Sequence, residues 1–180
     1  MVDPAIQLLG RQYILQRFRW IDGDADTWTM LRDPVALRAV VNALADLMAD
    51  QELDVIVGIE ARGFVLGPSV AIALGIGFSP IRKNGAKFPG DVLRHQSTPD
   101  YRGRTQVFEA RRDHYASGQR VGLIDDWIET GSQAVAAQRL IATAGAELAA
   151  VAVIIDEASD DLRQVLPPIQ SIVTAAELPR

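Results

Sequence analysis

The sequence predicts an α/β fold in which a mainly parallel β-sheet is flanked by helices. The first observation is that apolar runs of strand length alternate with segments of helical periodicity through most of the chain. The second is that polar turns directly follow two of those runs, at the edge of a parallel sheet where ligands usually bind. At 180 residues the chain is long enough for one domain with a full hydrophobic core.

The N-terminal part is predicted to contain two helices before the first strand. Residues 4–18 carry an apolar stripe with helical spacing, whereas residues 19–29 are polar and turn-rich, which predicts a loop. Asp33-Pro34 is typical of a helix start, because Asp caps the first turn and Pro fits its first position. This second helix runs to about residue 50, and the β-branched run at residues 55–59 then predicts a buried strand.

The rest of the chain continues the alternation. The predicted elements are a helix over 64–74, strands over 77–81, 105–110 and 120–124, a helix over 134–144, and strands over 149–155 and 169–174. Residues 83–104 are rich in turn-forming and basic residues, and no helix or strand is predicted there.

The composition excludes several kinds of protein. The formal net charge of −5 argues against general nucleic-acid binding. The chain has no apolar run of ~18 residues and no signal-peptide layout at its start, so we expect neither a membrane span nor export. The absence of cysteine excludes disulfides and thiolate metal sites and fits a cytoplasmic protein. Two histidines are too few for a His-rich zinc site.

The charges are unevenly distributed. Residues 82–120 hold nine Lys or Arg and four Asp or Glu, a charge of +5, so the remainder carries −10. This basic segment indicates either a local site for a polyanion or a solvated charged hairpin.

Two carboxylates and a small-residue turn follow the apolar run at residues 121–124. Asp125 and Asp126 are costly to bury unless a ligand uses them, and they suit ribose hydroxyls, directly or through a divalent cation. The turn Thr130–Ser132 opens a helix whose first N–H groups can bind an anion. Together these features predict a site for a sugar phosphate.

Two other interpretations of the acid pair stay open. The carboxylates could cap a loop or helix start without binding anything. They could also belong to a metal pocket of the phosphoaspartate type, with Glu60 and Asp156 as further acids. That pocket does not account for the small-residue helix start, which a phosphate explains better.

The turn Glu60–Gly63 occupies the equivalent position after the strand at residues 55–59. Arg62 could bind a pyrophosphate with its planar fork, and Gly63 lets the backbone approach closely. Alternatively, Arg62 pairs with a local acid such as Glu60. The carboxyl ends of parallel strands share one edge, so the fold is expected to place this turn beside Asp125 and Asp126.

Three segments together resemble the type I phosphoribosyltransferase superfamily, and within it the adenine enzymes. They are Gly58–Pro68, Pro80–Gly90 and Val121–Ala134, in the family's order and spacing, and the likeness extends over roughly residues 33–157. The resemblance implies transfer of the 5-phosphoribosyl group from phosphoribosyl pyrophosphate (PRPP) to a purine base, with adenine as the expected base. Release of pyrophosphate, Mg²⁺ as the cofactor, purine salvage and a homodimer are also implied. The alternative is a PRPP- or nucleotide-binding regulatory protein without turnover.

The resemblance also implies the site residues. The implied PRPP-binding residues are Glu60, Ala61, Arg62, Arg82, Lys83, Asp125, Asp126, Glu129, Thr130, Gly131, Ser132 and Gln133. The implied catalytic residues are Arg62, Lys83, Lys87 and Glu129. Asp125 and Asp126 would meet the metal indirectly, through PRPP or water. The loop at Glu60–Arg62 often contains a non-proline cis peptide in this family.

The same resemblance divides the chain into parts and leaves the base site least defined. It implies a single domain over 1–180, with an N-terminal helix and hood over 1–32 and a flexible hairpin lid over 83–112. Candidate base contacts are Trp20, Ile21 and Trp127, although both tryptophans could instead pack in the interior.

The chain departs from the family pattern at residues 129–133. It reads Glu-Thr-Gly-Ser-Gln where the family usually has Ala-Thr-Gly-Gly-Thr, and the hood over 19–28 lacks the Phe-Arg-Asp pattern of adenine enzymes. Glu129 could accept a proton or contact the base, or it could be an exposed acid favoured by the helix dipole.

Overall fold

The computed structural model describes residues 2–85, 88–99 and 102–179. The strands are β1 (Arg19–Ile21), β2 (Asp24–Asp26), β3 (Val55–Ile59), β4 (Gly77–Lys83), β5 (Val92–Gln96), β6 (Val107–Arg111), β7 (Arg120–Ile128), β8 (Glu147–Asp156) and β9 (Ile169–Thr174). The α-helices are α1 (Pro4–Arg17), α2 (Thr27–Arg32), α3 (Pro34–Met48), α4 (Gly63–Leu74), α5 (Ser132–Thr143) and α6 (Asp160–Val165).

The described strands form one large sheet and one small hairpin. The large sheet has the order β5-β6-β4-β3-β7-β8-β9, and the hairpin pairs β1 with β2. Strands β4, β3, β7, β8 and β9 run parallel, whereas β6 is antiparallel to β4 and to β5. This arrangement confirms the predicted α/β fold with a mainly parallel sheet.

Helices cover both faces of the large sheet, and each face has its own apolar core. One core joins α1, α3 and α4 to the sheet, and the other joins α5 and α6 to the opposite face. The central strand β3 is buried along its whole length. Its continuous apolar run follows from this two-sided burial. No helix of the described residues is long and apolar enough to cross a membrane.

The predicted start of the second helix is confirmed. The Asp33 carboxylate accepts hydrogen bonds from the N–H groups of Val35 and Ala36 at 2.9 Å, and Pro34 occupies the first helical position. A carboxylate at this position satisfies N–H groups that have no partner within the helix.

Four local predictions were wrong. The predicted loop at 19–29 is the hairpin β1–β2 followed by α2, elements of three to six residues that are too short to show a periodicity. Strand β5 lies at the edge of the sheet within residues 83–104, where periodicity predicted no strand, although the family resemblance implied a hairpin over 83–112. Strand β6 begins two residues later than predicted. Helix α6 was missed because its six residues contain a single buried side chain, Leu162.

A further difference concerns the acid pair. Strand β7 does not end before Asp125 but continues through both acids to Ile128. Pairing with β8 continues along this stretch, with Asp125 opposite Val153 and Ile128 opposite Asp156. The backbone of β7 is therefore satisfied by the sheet while both acids contribute to the wall of a cleft.

Candidate functional site

A cleft of about 730 Å³ opens where the parallel strands β3, β4 and β7 end, beside the hairpin β1–β2. Its wall contains most of the residues that the sequence predicted for a site. They are Trp20, Glu60, Ala61, Arg62, Lys83, Asp125, Asp126, Trp127, Glu129, Thr130, Gly131, Ser132 and Gln133. The strand ends thus bring together three segments that lie far apart in the chain.

Two of the predicted residues that the structure describes do not lie on this wall. Ile21 is exposed on the hairpin β1–β2, and Arg82 has a buried Nε that lies 3.5 Å from the Glu60 carboxylate. Lys87 falls outside the described residues. Their roles in binding or catalysis stay predictions.

The two carboxylates of the acid pair have different surroundings. Asp126 is 4% exposed, its Oδ2 accepts a hydrogen bond from Thr27 Oγ1 at 3.0 Å, and it forms an ion pair with Arg62 Nε at 2.5 Å. Asp125 is half-buried, and its Oδ1 accepts a hydrogen bond from the Asp126 N–H at 2.9 Å. Asp126 is thus tied to α2 and to the turn after β3, whereas Asp125 lies at the cleft wall.

The pKa of Asp125 is raised well above its usual range. Burial is the main cause, because it removes water from the charged form, and the neighbouring Asp126 carboxylate adds repulsion. The Arg62 guanidinium acts in the opposite direction. A cationic ligand or a hydroxyl donor in the cleft would therefore lower the cost of the charged form.

Two glycines allow the turn after β3 to lie against the strand. A Cβ on Gly58 would lie 2.1 Å from the Gly63 carbonyl oxygen, a distance that no side chain can occupy. The peptide Glu60–Ala61 between them is cis, as the family resemblance led us to expect. The turn therefore places Ala61 and Arg62 at the cleft wall.

The side chain of Arg62 reaches across the cleft. It pairs with Asp126 rather than with Glu60, and its guanidinium lies 5.9 Å from the ring centroid of Trp28. The Glu60 carboxylate instead accepts the Lys83 N–H at 3.1 Å and lies 3.5 Å from Arg82 Nε. Glu60 thus joins the ends of β3 and β4. Among the described residues, Arg62 is the cation that pairs with the acid pair, through Asp126.

The start of α5 forms a second wall of the cleft. Gly131 has a φ of +66°, and a Cβ there would lie 2.4 Å from the Leu162 side chain of α6, so glycine suits this turn. Gly131 has no side chain that could cap α5, and the Ser132 N–H donates to Thr130 Oγ1 at the long distance of 3.5 Å. Ser132 is buried in the first turn, with its Oγ 3.4 Å from Thr130 Oγ1. The first N–H groups of α5 and two hydroxyls therefore suit an anion at this end of the cleft.

Aromatic side chains form another wall of the cleft, which we call the aromatic wall and which contains Trp20 and Trp127. The ring centroids of Trp20 and Trp127 are 6.0 Å apart, and Phe18 lies 5.1 Å from Trp20. Trp20 is 45% exposed, so the alternative that it packs in the interior is wrong. Its Nε1 donates to the Pro179 carbonyl at 3.0 Å. Flat apolar faces at this wall suit a planar ring.

Several wall residues were missed by sequence reasoning. They are Asp24, Trp28, Arg102 and Glu157. Arg102 donates to the Asp24 carboxylate at 3.0 Å, which links the chain after β5 to the hood hairpin. Glu157 directly follows β8, so the rule that polar residues after parallel strands face a ligand would have found it.

An acid pair beside a helix start, at the carboxyl edge of a parallel sheet, is typical of α/β proteins that bind a phosphorylated ligand. Comparison with known proteins gives the particular family. The phosphoribosyl transferase domain model matches residues 27–172, and the chain belongs to that family.

Relatives and solved structures agree with this assignment. The chain is 39% identical over 131 residues to an adenine phosphoribosyltransferase of Alkaliphilus metalliredigens, covering 73% of this chain and 75% of that protein. It resembles the crystal structure of adenine phosphoribosyltransferase from Rhodothermus marinus with a TM-score of 0.79 and 32% identity, over 92% and 98% of the two chains. The Saccharomyces cerevisiae enzyme, complexed with an imino-altritol bisphosphate and adenine, gives 0.78 and 29%, over 91% and 98%.

Proposed function

We propose that this chain transfers the 5-phosphoribosyl group of PRPP to adenine, forming AMP and releasing pyrophosphate in purine salvage. The observation that carries the proposal is the placement of the acid pair of β7 beside the start of α5 and the Arg62 turn, all on one cleft. The relatives that supply the family are transferases by name. This favours turnover over a regulatory protein that only binds PRPP.

The sugar phosphate fits the side of the cleft between β7 and α5. The 5-phosphate is held by the first N–H groups of α5 and the hydroxyls of Thr130 and Ser132. The ribose hydroxyls then donate to Asp125 and Asp126, whose carboxylates line the same cleft. Donors thus face the phosphate and acceptors face the hydroxyls.

The pyrophosphate fits the side formed by the turn after β3 and the end of β4. Arg62 and Lys83 line this side, and Arg82 lies 3.5 Å from the Glu60 carboxylate in the same region. Negative charge grows on pyrophosphate as its bond to the ribose breaks, and these fixed cations stabilise that charge. Because Arg62 is paired with Asp126, it is held in place before the ligand arrives.

The described residues fit a magnesium ion that is held mainly by the substrate. They contain no cluster of three or more acidic, histidine or cysteine side chains that could enclose a metal. Asp125 and Asp126 offer hard oxygen atoms, which suit Mg²⁺ through PRPP or water. When bound, the ion would neutralise charge on the pyrophosphate.

The reaction joins a ring nitrogen of the base to the anomeric carbon of the ribose while the bond from that carbon to pyrophosphate breaks. The aromatic wall holds the base, and the turn after β3 and the start of α5 hold PRPP, so the two reactants are aligned. The nitrogen loses its proton, and Glu129, which lines the same cleft, is our candidate acceptor.

The exposed face of α4 favours a homodimer. Val65 and Ile72 lie two helical turns apart on one face of α4, and Ile72 is 81% exposed. An apolar helix face of this kind is normally covered, and we propose that a second copy of the chain covers it. The absence of cysteine is compatible with a cytoplasmic location, which we also propose.

Pyrophosphate release tests the proposed reaction. The protein is incubated with PRPP, Mg²⁺ and one base at a time, drawn from a panel of purines and pyrimidines. Adenine is expected to give the fastest release. Release with none of the bases would overturn the proposal, and protection by PRPP against thermal unfolding in that case would favour the regulatory alternative.

A further inference from the structure

Glu157 is an acidic side chain in the cleft for which the reaction described above has no use. It directly follows β8, and its N–H donates to the Ile128 carbonyl at 2.9 Å, so its backbone is tied to the end of β7. Its side chain is exposed and lines the cleft. A carboxylate held at a strand end beside the aromatic wall is placed to meet the base rather than the phosphates.

The aromatic wall orients this carboxylate. The indole Nε1 of Trp127 donates to Glu157 Oε2 at 3.1 Å. Within residues 2–85, 88–99 and 102–179, this indole is the one side-chain donor that reaches the Glu157 carboxylate. A carboxylate has about four acceptor positions, so most of them remain open to a ligand.

A second cavity supports this location. It measures about 450 Å³ and shares Trp20, Trp127 and Glu157 with the main cleft. The Trp127–Glu157 bond therefore lies where the two spaces meet. A planar base against Trp20 and Trp127 would direct one edge toward this bond.

We infer that Glu157 selects 6-aminopurines by accepting a hydrogen bond from the exocyclic amino group. The inference rests on the proposed function and names the group that reads the base. An amino group at C6 donates to a carboxylate, whereas an oxo group at C6 only accepts. A 6-oxopurine would therefore place two acceptors, its oxo group and the Glu157 carboxylate, against each other.

The experiment compares kcat/KM for three bases in the wild-type protein and in Glu157→Gln. The bases are adenine, hypoxanthine and N6,N6-dimethyladenine, which has no amino hydrogen. A glutamine side chain can donate to an oxo group, so the ratio of adenine to hypoxanthine is expected to fall at least tenfold. The value for dimethyladenine is expected to change less than threefold, because that base never had a hydrogen to donate.

Two further variants separate selection from a general loss of structure. Trp127→Phe keeps an aromatic ring but removes the N–H that orients the carboxylate, so the same ratio is expected to fall by a smaller factor. Glu147→Gln, an exposed acid at the opposite end of β8, is the matched control and is expected to leave the ratio unchanged.

The outcomes for the inference and for the proposed function are distinct. If the wild-type protein converts adenine and Glu157→Gln keeps the wild-type ratio within twofold, the inference is overturned and the proposed function stands. If the wild-type protein releases pyrophosphate with no base, the proposed function fails first and the inference fails with it.

Discussion

At the scale of single residues, two adjacent aspartates have different tasks. Asp126 is buried and held by Thr27 and Arg62, so it fixes the relation of α2 and the turn after β3 to the sheet. Asp125 lies at the cleft wall with a raised pKa. A carboxylic acid with a raised pKa is typical of a binding site, because a bound ligand can stabilise the ionised form.

The substitution Asp125→Asn is expected to stabilise the unliganded protein at neutral pH. The pKa of Asp125 is higher in the folded chain than in the unfolded chain. At a pH between these two pKa values, Asp125 is ionised in the unfolded chain and still protonated in the folded chain. Wild-type stability therefore falls as the pH rises above about 4, the unperturbed aspartate value. Asparagine keeps the acceptor for the Asp126 N–H without the charge.

Melting temperatures at pH 4 and pH 8 check this sign. The gain from Asp125→Asn is expected at pH 8 and should shrink toward pH 4. Glu147→Gln, at an exposed acid, serves as the control with little change at either pH. A variant that melts below the wild-type protein at pH 8 would show that the carboxylate has a structural role.

Removal of the positive charge beside Asp126 is expected to affect both stability and catalysis. Arg62→Gln leaves a buried carboxylate with Thr27 as its remaining side-chain donor. Because Arg62 is itself 38% exposed, we expect a loss of only about 1 kcal/mol in the free energy of unfolding. Pyrophosphate release is expected to fall at least tenfold, because one tenfold step requires about 1.4 kcal/mol of transition-state stabilisation.

Urea unfolding and steady-state rates on the same preparation distinguish the two effects. Arg62→Lys is the matched variant, since it keeps the charge but not the planar fork. If Arg62→Gln retains the wild-type rate, Arg62 has no part in stabilising the leaving group.

At the scale of elements, the shape of the cleft depends on the short distance between the end of β3 and the start of α4. Gly58 and Gly63 face each other across that junction, and a methyl group on Gly58 would meet the Gly63 carbonyl. We expect Gly58→Ala to lower the free energy of unfolding by about 1–3 kcal/mol, which is the usual cost of overpacking. The turn at Arg62 would shift with it.

Gly77→Ala is the control for this prediction. Gly77 also lies in a parallel strand, β4, but no described heavy atom is within 4 Å of the place where its Cβ would stand. Urea unfolding of both variants should show a loss for Gly58→Ala alone. Equal losses would mean that the cost arises from strand glycines in general and not from the close junction.

At the scale of the whole molecule, the sequence predicted the parallel sheet well and its additions poorly. The buried strands at 55–59 and 149–155 are long apolar runs, and their order with the helices leaves few topologies. The hairpin β1–β2, β5 and α6 have only three to six residues each, which is too few for a pattern of apolar residues to reveal them. Tertiary contacts decide their structure. The extent of β7 also depended on its pairing with β8.

The same contrast holds for the cleft. The polar turns after β3 and β7 were predictable, because they directly follow apolar runs in the sequence. The partner of Arg62 was not, since Asp126 is 64 positions away and the turn could equally have paired with Glu60. Trp28 reaches the cleft through the position of α2, which no local pattern shows. Glu157 directly follows β8, so its position after a parallel strand could have indicated it.

The exposed face of α4 gives a prediction for the assembly. Ile72→Glu places a charge on the apolar face that we assign to a second copy, and it is expected to turn a dimer into a monomer. Light scattering coupled to gel filtration measures the mass directly. Val165→Glu, at an exposed apolar residue of α6, is the control and should remain a dimer. A wild-type monomer would contradict the assignment.

Protection by PRPP against thermal unfolding tests the central claim, that this cleft binds PRPP through the acid pair and the start of α5. With Mg²⁺ and PRPP at about a hundred times the dissociation constant, binding adds about 2.7 kcal/mol, which raises the melting temperature of a chain of this size by about 5–10 °C. The double variant Asp125→Asn with Asp126→Asn is predicted to fold and to lose this shift. An unchanged shift in the double variant would contradict the account, because the carboxylates would then be structural.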